Sequence, residues 1–410
     1  MAPMPNVIFL LRNRFLPALL FGAVGLASFT VSTPAHAEQD FAACLQGMRA
    51  EAAAKGVSAA TFDSQTSALS PDKTVLDLQQ QQPEFKTPIW DYLAALVDDQ
   101  RIADGRAMLA QWRSTLDAVE ARFGVDRYVV VAVWGVESDF GKSIGKRPLV
   151  QSLATLACYG EKSSYFRGEL IATLKIIDDG NVNPAHLVGS WAGAFGHTQF
   201  MPSTFMRLAV DMDGSGRRDI VDSVPNALGS TANFLRKAGW ATGESWGFEV
   251  VLPQGYHGPT GRGAKRPFSA WAAAGVRRAD GRALPAAGTA GLIVPAGREG
   301  PAFLVTHNFD AIYSYNAAES YALAISILSD RLRGAGPLVG TWPTNDRGLS
   351  RAERKEVQAL LTQRGYDVGT PDGAVGAKTH EAIKSYEAKL GLPQTGRPGG
   401  VVLDALRAGR

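Results

Sequence analysis

Residues 128–136 read Tyr-Val-Val-Val-Ala-Val-Trp-Gly-Val, a run of nine without a charge, and the next residue is Glu137. A stretch so uniformly apolar has no face to give to water, so whatever it forms must be enclosed on all sides. Local propensity alone favours a strand, because valine is the commonest residue in it. Its neighbours are patterned as helices: residues 41–121 are Ala-rich and periodic, with breaks at Gly56, Ser70-Pro71 and Gly105, and the pattern resumes at 148–157 and 165–178. Since β-branched residues survive in a fully buried helix, the run is read as the central helix of a mainly α domain. Further helices are expected at 224–237 and 317–333. Between them, from about 241 to 306, Gly, Pro and Arg become dense and short β-type runs appear at 248–252, 291–294 and 302–305, which predicts a small β-rich insertion.

With 410 residues the chain is long for one core, and the compartment is written at its start. Arg12 and Arg14 precede an apolar run over 15–31, and Pro34-Ala35-His36-Ala37 closes it with an A-x-A pattern, so residues 1–37 are expected to be a signal peptide and Glu38 the first mature residue. The alternative is an uncleaved anchor, which Pro17 and several glycines in the run oppose. No later run is long enough to span a bilayer, so the mature protein is expected to be soluble and periplasmic, without stable membrane insertion. A formal net charge of +3 excludes a strong field for polyanions and with it a nucleic-acid partner. Cys44 and Cys158 are too few for a zinc cluster; in an oxidising compartment they make one disulfide, or else they stay as two separate thiols.

Chemistry is concentrated in three segments. In Trp134-Gly135-Val136-Glu137-Ser138-Asp139-Phe140-Gly141 a carboxylate ends the apolar run between glycines and aromatics. A carboxyl held against apolar walls resists ionisation and can stay protonated near neutral pH, as a proton donor to a glycosidic oxygen must. The second segment, Ser190 to Phe205, packs small residues, aromatics and Gln199 into one stretch, as a sugar groove or a tight helix junction would. The third, Tyr313-Ser314-Tyr315-Asn316, places hydroxyls and an amide just before a helix.

In this order along the chain, Gln82-Pro83-Glu84-Phe85, Glu137 to Gly141, Gly193-Ala194-Phe195-Gly196, Gln199-Phe200-Met201-Pro202-Ser203, Ala232-Asn233-Phe234-Leu235 and Tyr315-Asn316 resemble the lytic murein transglycosylases of the membrane-bound B type. The resemblance implies a lysozyme-like helical catalytic domain over 38–334, with Glu137 as the acid and base. It also implies that Ser138, Gln199, Phe200, Tyr315 and Asn316 line the substrate groove. One departure is Ala317-Ala318, where family members often carry a polar pair. In the family's reaction the acid protonates the bond between N-acetylmuramic acid and N-acetylglucosamine. It then takes the C6 hydroxyl proton, so that a 1,6-anhydro sugar forms without any cofactor. The matched groove motifs supply no second carboxylate for a hydrolase, although Asp139 stands close in sequence. A hydrolytic muramidase and a non-catalytic wall-binding protein are the alternatives. Peptidoglycan glycan strands are the expected partner, with cell-wall assembly proteins left open.

Two further features stand outside the groove. Asp211-Met212-Asp213-Gly214-Ser215-Gly216-Arg217-Arg218-Asp219-Ile220-Val221-Asp222 follows an EF-hand loop, with oxygen side chains at positions one, three, five, nine and twelve and glycine at six. Asp211, Asp213, Ser215, Arg217 and Asp222 are therefore candidates around a structural Ca²⁺; the alternative is a turn held by its own side-chain hydrogen bonds. After a linker at 335–346, rich in Gly and Pro, residues 347–410 carry eleven Lys and Arg against seven Asp and Glu. Their order of helix, Asp372-Gly373 turn, helix, Gly391-Leu392-Pro393 stop and short helix resembles the three-helix peptidoglycan-binding domain.

Overall fold

The structure, a computed structural model, describes residues 34–80 and 87–410. The expected leader lies outside them except for its last four residues, which open the helix Pro34–Gln46, and the Gln82 to Phe85 motif lies outside as well. Among the described residues no helix is long and apolar enough to cross a membrane. The chain divides into two compact units, the first holding Ile144–Ala227 with the residues up to Gln82, the second holding Pro83–Ser143 with Leu228–Arg410.

In the first unit the paired helices Leu149–Tyr159 and Ser163–Asp178 form the centre, with Leu153, Leu156, Phe166, Leu170 and Leu174 buried. Cys44 and Cys158 are joined in a disulfide, which ties the helix Pro34–Gln46 to the helix Leu149–Tyr159. The ring of Phe41 stacks on Tyr159 beside it, centroids 5.8 Å apart. Closing a loop with a sequence separation of 114 removes unfolded-state entropy worth on the order of 5 kcal/mol. Two short strands, β1 (Arg147–Pro148) and β2 (Val188–Gly189), pair antiparallel. A helix at Pro202–Leu208 follows the Ser190 to Met201 loop.

The valine-rich run of the second unit is a helix, Arg127–Ser138, buried from Val129 to Gly135 and again at Ser138. A β-branched residue gives up about 0.5 kcal/mol of helix propensity, whereas burying a valine side chain contributes about 1.5–3 kcal/mol. Burial therefore decides, and the helices Glu319–Arg333, Asp99–Gln111 and Arg113–Phe123 supply the walls. The insertion is a five-stranded antiparallel sheet of β3 (Gly247–Val251), β4 (Gly261–Pro267), β5 (Arg277–Arg278), β6 (Thr289–Ile293) and β7 (Ala302–Val305), in the order β4-β6-β7-β3-β5. Phe248 faces Leu304 and Leu292 faces Leu304 across the ladder, and Phe268 and Trp271 of the helix Phe268–Ala273 complete its core. The three inner strands are the three apolar runs of the sequence. The strands β4 and β5 are edges, basic and largely solvated, and no apolar alternation marks them.

The tail folds as three helices, Arg351–Gln363, Ala377–Lys389 and Gly400–Arg407, around Leu349, Val357, Leu361, Ile383, Tyr386, Leu403 and Leu406. Its first helix opens with a capping box, Ser350 with Glu353. Buried Gln358 explains the Asp372-Gly373 and Thr379 pattern. Its amide accepts from Gly373 N at 2.7 Å and donates to the Ala374 carbonyl at 2.8 Å and to Thr379 Oγ1 at 3.2 Å.

Candidate active site

Glu137 lies in the last turn of the helix Arg127–Ser138, where the apolar run ends, and its residue is partly exposed while its carboxyl is lodged among buried groups. Burial pushes its pKa up to about 7, and a hydrogen bond donated by Tyr321 Oη to Oε1 acts in the opposite sense. Tyr321 is itself 2% exposed. Burial first, and then the charge of Glu137, raise the pKa values of both Tyr321 and Tyr92. The carboxyl is thus faced by phenols that stay protonated while it titrates near neutral pH. Tyr315 stacks on Tyr321, centroids 6.2 Å apart, and meets Phe234 at a tilt with centroids 4.6 Å apart, which links the matched segments of Phe234 and Tyr315 to the phenol on Glu137. Such an arrangement can give a proton and take one back without a change of partner.

The backbone behind Glu137 turns sharply. Asp139, Phe140 and Gly141 have φ of +51°, +59° and +85° in succession. The ring of Phe140 folds back against Trp134, centroids 5.7 Å apart, over Gly135, where an added Cβ would stand 2.6 Å from that ring. Ser138, expected to line the groove, is 1% exposed; its hydroxyl accepts from Gly141 N at 2.9 Å and so pins the turn from inside. Asp139 is ion-paired to Arg351 at 2.5 Å and to Arg101 at 3.7 Å, so the nearby carboxylate is held in a structural bond.

Tyr315 and Asn316 stand just before the helix Glu319–Arg333, as expected, but they also form the last turn of a helix not foreseen, His307–Asn316. Thr306 caps it by accepting from Asn308 N, and Ala317 ends it in the left-handed region at φ +48°. In the first unit Gln199 is also left-handed, at φ +51°, and its amide donates to the carbonyls of Gly196 at 2.8 Å and Ile144 at 3.2 Å. Phe200, expected in the groove, is a core residue, 2% exposed, whose carbonyl accepts from Phe195 N. Glu169 is buried beneath this segment and accepts from Ser203 N at 2.8 Å and Ser203 Oγ at 2.7 Å, anchoring the start of the helix Pro202–Leu208. Among the described residues the non-glycine left-handed positions are Asp139, Phe140, Gln199 and Ala317, all in or directly after matched motifs. Such conformations cost on the order of 1–3 kcal/mol each and persist where surroundings hold them for use.

The loop 211–222 is held by its own hydrogen bonds. Asp211 accepts from Gly214 N and Gly216 N at 2.8 Å, and Asp213 accepts from Ser215 N at 3.0 Å. Asn226 donates both to Asp213 Oδ2 and to the Arg217 carbonyl, each at 3.2 Å, so those two oxygens face a common point. Asp222 turns instead to His186, at 2.8 Å. Among the described residues no group of three or more His, Cys, Asp or Glu is gathered to hold a metal ion. The donor set suits a hard cation, while its arrangement here is that of the hydrogen-bonded turn.

Tyr321 and Tyr92 are the site residues that sequence reasoning missed. The signal for the first was available: a single phenol in the otherwise buried run Tyr321 to Leu328 requires a partner for its hydroxyl.

Residues 40–330 match the family model for the transglycosylase SLT domain, and residues 350–406 match that for a peptidoglycan-binding domain. The membrane-bound lytic murein transglycosylase B of Escherichia coli K12 is 34% identical over 188 residues, which is 45% of this chain and 51% of that protein, so the match spans about half the length of that relative. The crystal structure of SltB3 from Pseudomonas aeruginosa in complex with NAG-anhNAM-pentapeptide superposes with a TM-score of 0.73 at 43% identity, covering 90% of this chain and 100% of that one. The lytic transglycosylase Slt35 of Escherichia coli in complex with calcium gives 0.62 at 27% identity, covering 72% and 93%. The mainly helical, lysozyme-like fold with its small sheet agrees with these structures, and the C-terminal module with the peptidoglycan-binding match.

Proposed function

The chain belongs to the transglycosylase SLT domain family, and from that membership we propose that it cleaves the β-1,4 bond between N-acetylmuramic acid and N-acetylglucosamine in peptidoglycan, leaving 1,6-anhydro ends. The observation that carries the reading is the placing of the Glu137 carboxyl, at the end of a buried helix with the Tyr321 hydroxyl on Oε1, where burial pushes its pKa up to about 7. Protonated, it gives its proton to the glycosidic oxygen as the bond from C1 to that oxygen breaks. The carboxylate so formed accepts the hydrogen bond of Tyr321 and takes the proton of the muramyl C6 hydroxyl while O6 bonds to C1. The acid is restored and no water is consumed. Because the nucleophile is part of the substrate, it acts at a high effective concentration. The ion pairs on Asp139 weigh against its service as the second carboxylate of a hydrolase.

Gln199, Tyr315 and Asn316 are proposed to bind the sugars, and Ser138 and Phe200 to shape the segments from beneath. Residues 38–334 would be the catalytic domain, 335–346 the linker and 347–410 the wall-binding module, which raises the local concentration of wall at the enzyme. The leader 1–37 would direct the protein to the periplasm, a reading that the Cys44–Cys158 disulfide supports. The loop 211–222 is proposed to take Ca²⁺ in a structural role, through Asp211, Asp213, Ser215, Asp222 and the carbonyl of Arg217. A melting temperature unmoved by millimolar calcium against a chelator would remove that assignment. The catalytic reading is tested by mass spectrometry of digested sacculi: products lighter by one water than hydrolysis products are expected, and hydrated ends alone would overturn it.

A further inference from the structure

Asp139 holds the first left-handed position after Glu137, and its nearest cationic partner comes from the C-terminal module. Arg351, the first residue of the helix Arg351–Gln363 in the C-terminal module, reaches Asp139 Oδ2 at 2.5 Å, whereas Arg101 from the helix Asp99–Gln111 stands at 3.7 Å from Oδ1. The Asp139 side chain is 12% exposed and that of Arg101 7%, while Arg351 is 43% exposed and brings its guanidinium in from the solvent side. Arg351 is fixed at its main chain as well: its N–H faces Asp98 Oδ2 at 3.4 Å, and the other oxygen of Asp98 caps the helix Asp99–Gln111. The turn Asp372-Gly373 presses on the same residue, for a Cβ on Gly373 would stand 2.7 Å from the Arg351 carbonyl oxygen and 2.9 Å from its Cγ. A physical line therefore runs from the signature turn of the module, through Arg351 and Asp139, to the residue two places before Asp139, which is Glu137.

We propose that the C-terminal module, besides binding wall, sets the geometry of the catalytic acid, with Arg351 as a positioning residue that acts through Asp139. This rests on the catalytic reading above. Arg351 holds Asp139 in its left-handed conformation, and that conformation fixes the end of the helix from which Glu137 projects. The module does not depend on Arg351 to stay seated: Arg397 pairs with both oxygens of Asp91 at 2.6 Å, and Gly348 packs so closely on Trp90 and Asp91 that a Cβ there would stand 2.7 Å from the Trp90 carbonyl. Loss of the Asp139 contact can therefore be separated from loss of docking.

The test uses the full mature chain and a soluble tetrasaccharide of alternating N-acetylglucosamine and N-acetylmuramic acid without stem peptides, with pull-down on insoluble sacculi as a separate readout. R351A is expected to lower kcat about tenfold, as a small misplacement of a catalytic group does, with KM within twofold and sacculus binding unchanged. R351K, which keeps a cation on Asp139, should recover most of the rate. D139N should match R351A, and the double variant should be no slower than either alone. A kcat for R351A within twofold of wild type, or losses that multiply in the double variant, would overturn the proposal. If R351A does not fold, D139N and R351K decide it by the same criteria: full rate in D139N sinks it, and a slow D139N beside a nearly normal R351K supports it. Wild-type protein that makes no anhydro ends from sacculi would instead defeat the catalytic reading, so the two failures are distinguishable.

Discussion

Glu137 and Glu169 are both glutamates lodged among apolar neighbours on helices, and their surroundings treat them in opposite ways. Glu169 receives the backbone N–H and the hydroxyl of Ser203, one on each oxygen, and is 3% exposed. Glu137 receives a phenol on one oxygen and stays partly open. Donors on both oxygens make Glu169 a fastener between its helix and Ser203. Among the described residues the donor on Glu137 is Tyr321, which leaves desolvation in control, and the carboxyl is free to trade its proton. A buried acid is therefore not a catalytic candidate by burial alone; the number of donors aimed at it separates the reactive one from the structural one.

The sharpest way to break this contrast is to neutralise each acid in turn. E137Q should lower glycan cleavage by about 10²–10⁴-fold, with sacculus binding retained, while E169Q should keep most of the activity and lose about 1–3 kcal/mol of stability; equal kinetic losses in the two variants would end the distinction. Next in size is the phenol. Glu137 must begin protonated, so the rate should fall as pH rises through about 7. Tyr321 favours the ionised form, so Y321F should lower the maximal rate roughly tenfold and move that limb to higher pH; a shift to lower pH would contradict the role given to the hydroxyl. The smallest effect is on stability. The folded state holds the Glu137 proton more tightly than the usual 4.5, so ionising it costs stability progressively from that pH up to about 7 and fully above. E137Q escapes this cost, and its melting temperature should exceed that of wild type above pH 7 by the equivalent of at most about 3 kcal/mol, with no gain below 4.5. A gain independent of pH would point to packing instead.

The central helix was legible because nine uncharged residues leave only one way to be satisfied, enclosure, and so was the placing of the Glu137 carboxyl at its end. The module was legible too, since Asp372-Gly373 marks a turn and Gly391-Leu392-Pro393 a stop by local chemistry. What escaped was decided by distant partners. Tyr321 acts on a residue 184 positions away, and Asp222 is drawn from the expected calcium loop by His186, 36 positions earlier. Matching motifs name segments but not facings: Ser138 and Phe200 have their side chains turned inward. The helix His307–Asn316 was missed because its Tyr-Ser-Tyr-Asn end carries little helical preference, although Thr306 announced its start.

The bond between Cys44 and Cys158 encloses the whole stretch that contains Glu137. A protease that severs the backbone anywhere between these two cysteines produces two fragments but still one molecule. Such a nicked protein would migrate intact on a gel without reductant and come apart when a thiol is added.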